Sequence, residues 1–265
     1  MTDASQFYQF RAGSLVRVTD APMTEVRLEV ADSWLVEDGK VRSLRAHFDR
    51  FGSRVSMISP SCTESLEPFF AAVLTQTPAV GRWFPRIEFH AEAESPHHLY
   101  LRLREAPEQL GEIKLWTLPE SDPREQPTVK GPDLSLGMQM RRNAKMHGAD
   151  EAVILDESGF ILEGALSSIV WWRGDVLCSS SEAQPWLPSI TRAEIFSIAH
   201  QMGYQTRTEK TKPADLVGLE IWALSSLQGI RVVSEWVGLG SPVGEGNHYE
   251  AFARRLKLLS TQMTL

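Results

Sequence analysis

The chain is poor in cysteine, has no long apolar run and carries no surplus of positive charge. Its two cysteines, Cys62 and Cys178, stand far apart without a CxxC partner or a histidine-rich neighbourhood, a pattern that supports neither a disulfide framework nor a zinc site. No apolar stretch approaches the roughly 20 residues that span a bilayer, so no membrane partner is expected. The formal net charge of −7 argues against nucleic acid and anionic lipid, since both reward basic patches. Met1 to Gln6 show no basic segment leading into an apolar one, so no secretory signal is read there and a reducing cytoplasm is the expected address.

Common catalytic signatures are missing as well. There is no GxSxG elbow, P-loop, HExxH or EF-hand loop. Gly238-Leu239-Gly240 and Gly244-Glu245-Gly246 lack the third glycine and following helix of a dinucleotide fingerprint. His97-His98 follow Ser95-Pro96 in a polar stretch and read as a solvated loop pair, so no metal site is expected.

What is present is an ordinary globular composition, 42% apolar and 23% charged, in 265 residues, near the upper size for one core. The clear composition shift is Pro119 to Pro127, rich in proline and charge with nothing to bury. It suggests a small N-terminal domain over 1–120, a linker at 121–128 and a larger domain over 129–265. In the first part, Glu25 to Val36 alternates like a strand and Glu37-Asp38-Gly39-Lys40 is a hairpin turn. Leu44, Phe48, Phe51 and Val55 predict a helix over 43–57, with His47, Arg50 and Arg54 on its polar side. A strand over 99–103 ends at Arg104.

In the second part, Leu136, Met140 and Ala144 mark a helix stopped by Gly148. Strands follow over 151–156, 160–165, 167–172, 175–179 and 220–224. Thr191-Arg192-Ala193-Glu194 reads as a capping box opening a helix that Gly203 ends. Strands outnumber helices and pair mostly through hairpins, which indicates an α+β fold.

Four segments could serve one anionic cofactor. Val129-Lys130-Gly131-Pro132 puts an amine at the end of a strand-like stretch before a helix, where desolvation would make it a nucleophile. Glu163-Gly164 ends an apolar strand, and a carboxylate there calls for a cationic partner such as a pyridinium nitrogen. Leu187-Pro188-Ser189-Ile190-Thr191-Arg192 opens a helix whose free N–H groups suit a phosphate. Ser225-Ser226 with Gly229 offers two more hydroxyls, and Arg50 a charge-assisted contact. Each has a plainer reading. Lys130 could be simply solvated, Glu163 an edge carboxylate facing water, Thr191 and Glu194 a cap, Ser225-Ser226 a turn, and Arg50 a partner of Glu37 or Asp49. Trp171, Trp172, Trp186 and Cys178 read as packing before they read as a pocket.

The order of these segments resembles the class IV aminotransferases, the fold-type IV pyridoxal-phosphate enzymes that include branched-chain and D-amino acid aminotransferases and aminodeoxychorismate lyases. The resemblance is carried by Lys130, Gly148 to Ala152, Leu155 to Gly164, Leu187 to Arg192 and Ala223 to Ser226. His47-Phe48-Asp49-Arg50 is similar to the family's His-x-x-Arg helix. It implies a small α/β domain, a larger barrel-like α+β domain, pyridoxal 5′-phosphate as cofactor and a homodimer. It implies Lys130 as the Schiff-base lysine that also shuttles the α-proton, and Glu163 as the partner of the pyridine nitrogen. Arg50, Ile190 (through its N–H), Thr191, Ser225 and Ser226 would bind the phosphate, and Arg104 the substrate carboxylate.

The sequence departs from the family pattern at several places. Ser168 replaces an asparagine, Leu134 and Ser135 stand where some members carry tyrosine or arginine, and the N-terminal Gly-Asp-x-x-Phe-Glu pattern is missing. These changes imply a remodelled substrate pocket. The leading expectation is an amino-acid aminotransferase using a 2-oxo acid. The alternative is a 4-amino-4-deoxychorismate lyase releasing pyruvate, and a third is a non-catalytic ligand-binding descendant.

Overall fold

The computed structural model describes residues 5–19, 27–91, 98–239, 243–244 and 246–264. It divides into two compact units. The first comprises Met1–Glu108, Val129–Pro132 and Leu259–Leu265; the second comprises Gln109–Thr128 and Asp133–Leu258.

In the first unit, β1 (Gln6–Arg11) and β2 (Ser14–Val18) form a hairpin through Ala12 and Gly13, both at positive φ. β3 (Val30–Ser33) is followed by β4 (Val36–Glu37) and β5 (Lys40–Arg42), which turn through Asp38 (φ 47°) and Gly39 (φ 73°). Two positive φ values are what a two-residue hairpin loop requires. Helix α1 (Leu44–Ile58) buries Leu44, His47, Phe48, Phe51 and Val55. Helix α2 (Thr63–Gln76) contains Pro68 yet persists, because Leu66, Phe69, Phe70 and Val73 are buried along it. An internal proline costs about 3 kcal/mol, and each buried aromatic offsets roughly 1.5–3 kcal/mol of that. The rings of Phe48 and Phe70 stack at 4.1 Å, joining α1 to α2. Strand β6 (Arg82–Trp83) pairs with β4, while β7 (Arg86–Phe89) and β8 (Leu99–Leu103) complete an antiparallel sheet in the order β2-β1-β8-β7-β3.

The second unit is built on an eight-stranded sheet. Its elements are β9 (Glu112–Thr117), α3 (Leu134–Met146), β10 (Glu151–Leu155), β11 (Ile161–Gly164), β12 (Ser168–Arg173) and β13 (Val176–Ser180). There follow α4 (Ile190–Gln201), β14 (Gln205–Glu209), β15 (Ile221–Ser225), β16 (Gly229–Val237) and α5 (Tyr249–Leu258). The order is β11-β10-β9-β16-β15-β12-β13-β14, with parallel pairs β9–β10, β9–β16 and β13–β14 among hairpins. A bridge between Gly164 and Ser167 brings the end of β11 back to the start of β12, so the sheet curls into a half-barrel. Its core holds Ile113, Leu115, Val153, Ile161, Trp171, Cys178 and Trp236. Afterwards the chain returns to the first unit, where β17 (Ser260–Gln262) pairs with β5 in a small sheet ordered β17-β5-β4-β6. The architecture is α+β, and no helix among the described residues is long and apolar enough to cross a membrane.

Several expectations change. The strand expected over 25–36 is two short strands, and residues 25–26 lie outside the described ones. The stretch at 121–128 falls inside the second unit, because β9 pairs with β10 and β16 and draws 109–128 with it. Residues 129–132 and 259–265 group with the first unit. Val129 to Gly131 form bends and no strand. The capping box is also corrected. Helix α4 starts at Ile190 with Ser189 as its cap, whose hydroxyl accepts the Arg192 N–H at 3.2 Å, so Thr191 is already helical.

Candidate active site

The first unit holds Lys130, Arg50 and Arg104. The Lys130 carbonyl accepts the Ala31 N–H at 2.7 Å, which ties the lysine's loop to β3. Gly131, at φ 147°, is pressed onto the same strand. A Cβ there would stand 2.9 Å from Val30 Cα and 3.0 Å from the Glu29 carbonyl oxygen. Next on β3, fully buried Asp32 takes Arg50 in two prongs, Nε to Oδ2 at 2.7 Å and Nη2 to Oδ1 at 2.9 Å. Its Oδ1 also meets His47 Nδ1 at 2.7 Å. Burial opposes charge on Asp32, but the Arg50 and His47 partners overcome it and hold the carboxyl well below its usual range. Arg50 therefore pairs with Asp32, and neither Glu37 nor Asp49 is its partner. His47, expected on a polar face, is buried for the same reason. Arg104 follows β8, donates to the Phe84 carbonyl at 3.3 Å and lies over the Phe84 ring at 4.8 Å.

The second unit holds Glu163, Ile190, Thr191, Ser225 and Ser226. Glu163 sits on β11 opposite Ile154 and is only 6% exposed, so the reading as a solvated edge carboxylate does not hold. Arg124 donates to its Oε1 at 2.5 Å and the Leu187 N–H to the same oxygen at 2.9 Å. Oε2 accepts no hydrogen bond among the described residues. Burial pushes the Glu163 carboxyl up despite Arg124. The Arg124 side chain is itself largely buried and also grips Asp122 through Nε and Nη2, both at 2.8 Å. Burial works against its charge, and the Asp122 and Glu163 carboxylates keep it firmly protonated.

Through Leu187, Glu163 is joined to the loop that opens α4. The N–H groups of Ile190 and Thr191 donate to nothing among the described residues, as expected of the first turn of a helix. The Thr191 side chain is buried and its hydroxyl likewise has no described partner. Arg192 packs 3.4 Å above the Trp186 ring and donates to Ser179 Oγ at 3.3 Å; burial lowers it to about 10. Ser225 Oγ accepts the Gln228 N–H at 3.1 Å in the turn that Gly229 closes at φ 65°. Among the described residues no three His, Cys, Asp or Glu gather as metal ligands.

Sequence reasoning missed Asp32 and Arg124. Asp32 had no visible signal, since its partners are 15 and 18 residues away. Arg124 was legible only as a charge among prolines, and that context points to solvent.

The half-barrel sheet matches the structures of fold-type IV aminotransferases. The chain belongs to the class IV aminotransferases, enzymes that use pyridoxal 5′-phosphate: the model of that family matches residues 29–236. No curated protein sequence matches it. Among solved structures it is similar to a hypothetical aminotransferase from Mycobacterium tuberculosis in its PLP-bound form. The identity is 19%, the TM-score 0.81, and the match covers 96% of this chain and 98% of that one. It is also similar to the branched-chain aminotransferase of Escherichia coli, with 19% identity, TM-score 0.73 and coverage of 97% and 93%. For the branched-chain aminotransferase of Thermoproteus uzoniensis with norvaline the values are 17%, 0.76, 95% and 94%. At these identities the likeness is one of fold.

Proposed function

We propose that the chain is a pyridoxal-phosphate-dependent aminotransferase that moves an amino group between an amino acid and a 2-oxo acid. The observation that carries this reading is Glu163, a buried carboxylate with one oxygen held by Arg124 and Leu187 and the other without a described partner. The donor set fits the cofactor. A buried carboxyl pushed up by desolvation is stabilised as the anion by one more cation, and a protonated pyridine nitrogen is such a cation. Two unspent N–H groups at a helix start suit a phosphate.

When bound, pyridoxal phosphate supplies a carbonyl that an amine can capture and a ring that draws electrons from the substrate's α-carbon. Glu163 Oε2 would hold the proton on the ring nitrogen, with Oε1 kept in place by Arg124. The Ile190 and Thr191 N–H groups, the Thr191 hydroxyl and Ser226 would bind the phosphate, and Ser225 would shape that turn. Arg50 would add a charge-assisted contact from a guanidinium already oriented by Asp32. Lys130 Nζ would capture the carbonyl and then move the proton from the α-carbon. Arg104 would take the substrate carboxylate. The homodimer is part of the same proposal, and sedimentation of the purified protein checks it.

The test is a panel of amino acids offered with a 2-oxo acid acceptor, following the amino group by chromatography. Transfer to the acceptor is the expected result. Release of pyruvate and 4-aminobenzoate from aminodeoxychorismate, with no acceptor needed, would assign the lyase reaction instead. The M. tuberculosis protein has been solved with α-ketoglutarate and PMP bound, which makes α-ketoglutarate the first acceptor to try.

A further inference from the structure

We infer that Glu151 is a positioning residue, which sets the Glu163 carboxylate by holding the turn immediately behind it. The inference rests on reading Glu163 as the cofactor's partner. Strand β11 ends at Gly164, and the chain folds back at once: the Gly164 N–H donates to the Ser167 carbonyl at 2.8 Å. Inside that turn two donors have no strand to serve. The Ser167 hydroxyl donates to Glu151 Oε2 at 3.1 Å, and the Leu166 backbone bonds to the same carboxyl. The Ala165 N–H is taken by the Ala152 carbonyl at 2.8 Å, next to Glu151 on β10.

The turn is walled on its other sides. A Cβ at Gly164 would run into the Ser167 hydroxyl and stand 3.1 Å from Glu151 Cγ. A Cβ at Gly137 of α3 would lie 2.8 Å from the Ala165 carbonyl oxygen and 2.9 Å from Leu166 Cδ2. Residues 164–167 therefore have little freedom to move without carrying Glu163 along.

Glu151 is a costly way to fill this place. It is completely buried, and burial pushes its carboxyl up. Among the described residues its Oε1 accepts no hydrogen bond and has only a long ion-pair contact to Arg141 Nε at 3.9 Å, and the buried Nε of Arg231 has no hydrogen-bond partner. An apolar residue of similar volume would avoid that desolvation. What it could not do is accept the two donors of the Glu163 turn, and leaving them unpaired would let the turn open.

The experiment compares Glu151→Ala, Glu151→Gln and Ser167→Ala with the wild-type holoenzyme. Two quantities are read: the dissociation constant for pyridoxal phosphate, by tryptophan quenching, and the pH midpoint at which the bound cofactor's visible band titrates. Glu151→Ala and Ser167→Ala should each weaken cofactor binding, roughly tenfold for the former, and shift the midpoint. Glu151→Gln keeps an acceptor oxygen and should restore both readings. If Glu151→Ala does not fold, Ser167→Ala, which removes a single hydroxyl, decides the matter alone. Wild-type affinity and midpoint in the alanine variants that fold would overturn the positioning role while leaving Glu163 in place. A wild-type protein that takes up no cofactor would overturn the reading of Glu163 and this inference together.

Discussion

Ala31 donates its backbone N–H to the carbonyl of Lys130 at 2.7 Å, so the lysine's loop is hung on strand β3. The next residue of the same strand, Asp32, orients Arg50. One short strand thus holds the backbone of a lysine and orients a guanidinium that lies far from it in the sequence. The close approach of Gly131 to Val30 is what lets the loop sit there.

Gly131→Ala tests that approach. The new methyl would stand 2.9–3.0 Å from the Glu29–Val30 backbone, and φ 147° is a conformation that L residues rarely adopt. The expected cost is about 1–3 kcal/mol in urea unfolding, with a lower yield of cofactor trapped on Lys130. A variant equal to the wild type in both would show that the loop tolerates displacement.

Arg124→Met should be severely destabilising. It leaves the buried Glu163 and the partly buried Asp122 without their cation, and breaking such a group costs on the order of 3–5 kcal/mol. Adding Glu163→Gln removes one of the stranded charges and should recover part of the loss. A double-mutant cycle by chemical denaturation measures the coupling, and purely additive losses would argue against the pair.

Thr191→Val separates stability from binding. The Thr191 hydroxyl has no described partner, so the cofactor-free protein should keep its stability to within about 1 kcal/mol. If the hydroxyl binds phosphate, affinity for pyridoxal phosphate should fall by roughly tenfold. Unchanged affinity in titrations would remove Thr191 from the phosphate site.

Glu88 gives the first unit an acid-sensitive element. Burial opposes its charge, but His90, Arg86 and Arg102 overcome this and hold its carboxyl at about 2, against 4.5 for the free group. Its folded value is depressed, so the stabilisation is present above pH 4.5 and is lost as the pH falls through about 2. The size at neutral pH is on the order of 3 kcal/mol. Unfolding free energies of wild type and Glu88→Gln should therefore differ at pH 7 and converge near pH 2. A gap that stays constant across that range would assign the effect to packing.

Much of the second unit was legible because its elements announce themselves locally. Gly148 and Gly203 end helices at positive φ, and the strands around Asp156 to Phe160 turn on an Asx loop in which Asp156 Oδ1 takes the Ser158 and Phe160 N–H groups. The Asp38-Gly39 hairpin was legible for the same reason, whereas the Ala12-Gly13 hairpin has no asparagine or aspartate to mark it. Helix α2 was hidden by Pro68, whose local preference is overridden by the buried phenylalanines. β9 sits in the middle of the large sheet, but its membership depends on partners at 151–153 and 232–237 that no local pattern reveals. The same holds at the site: Glu163 could be read from its strand, while Arg124 and Asp32 are defined by long-range ion pairs.

The central claim is that Lys130 is the residue that takes the cofactor. The most direct measurement is borohydride reduction of the protein loaded with pyridoxal phosphate, followed by peptide mapping, for wild type and Lys130→Ala. The account predicts a visible absorbance band in the wild type and a reduced pyridoxyl group on the Lys130 peptide, both missing in the variant. A label on another lysine, or an identical adduct in Lys130→Ala, would contradict it.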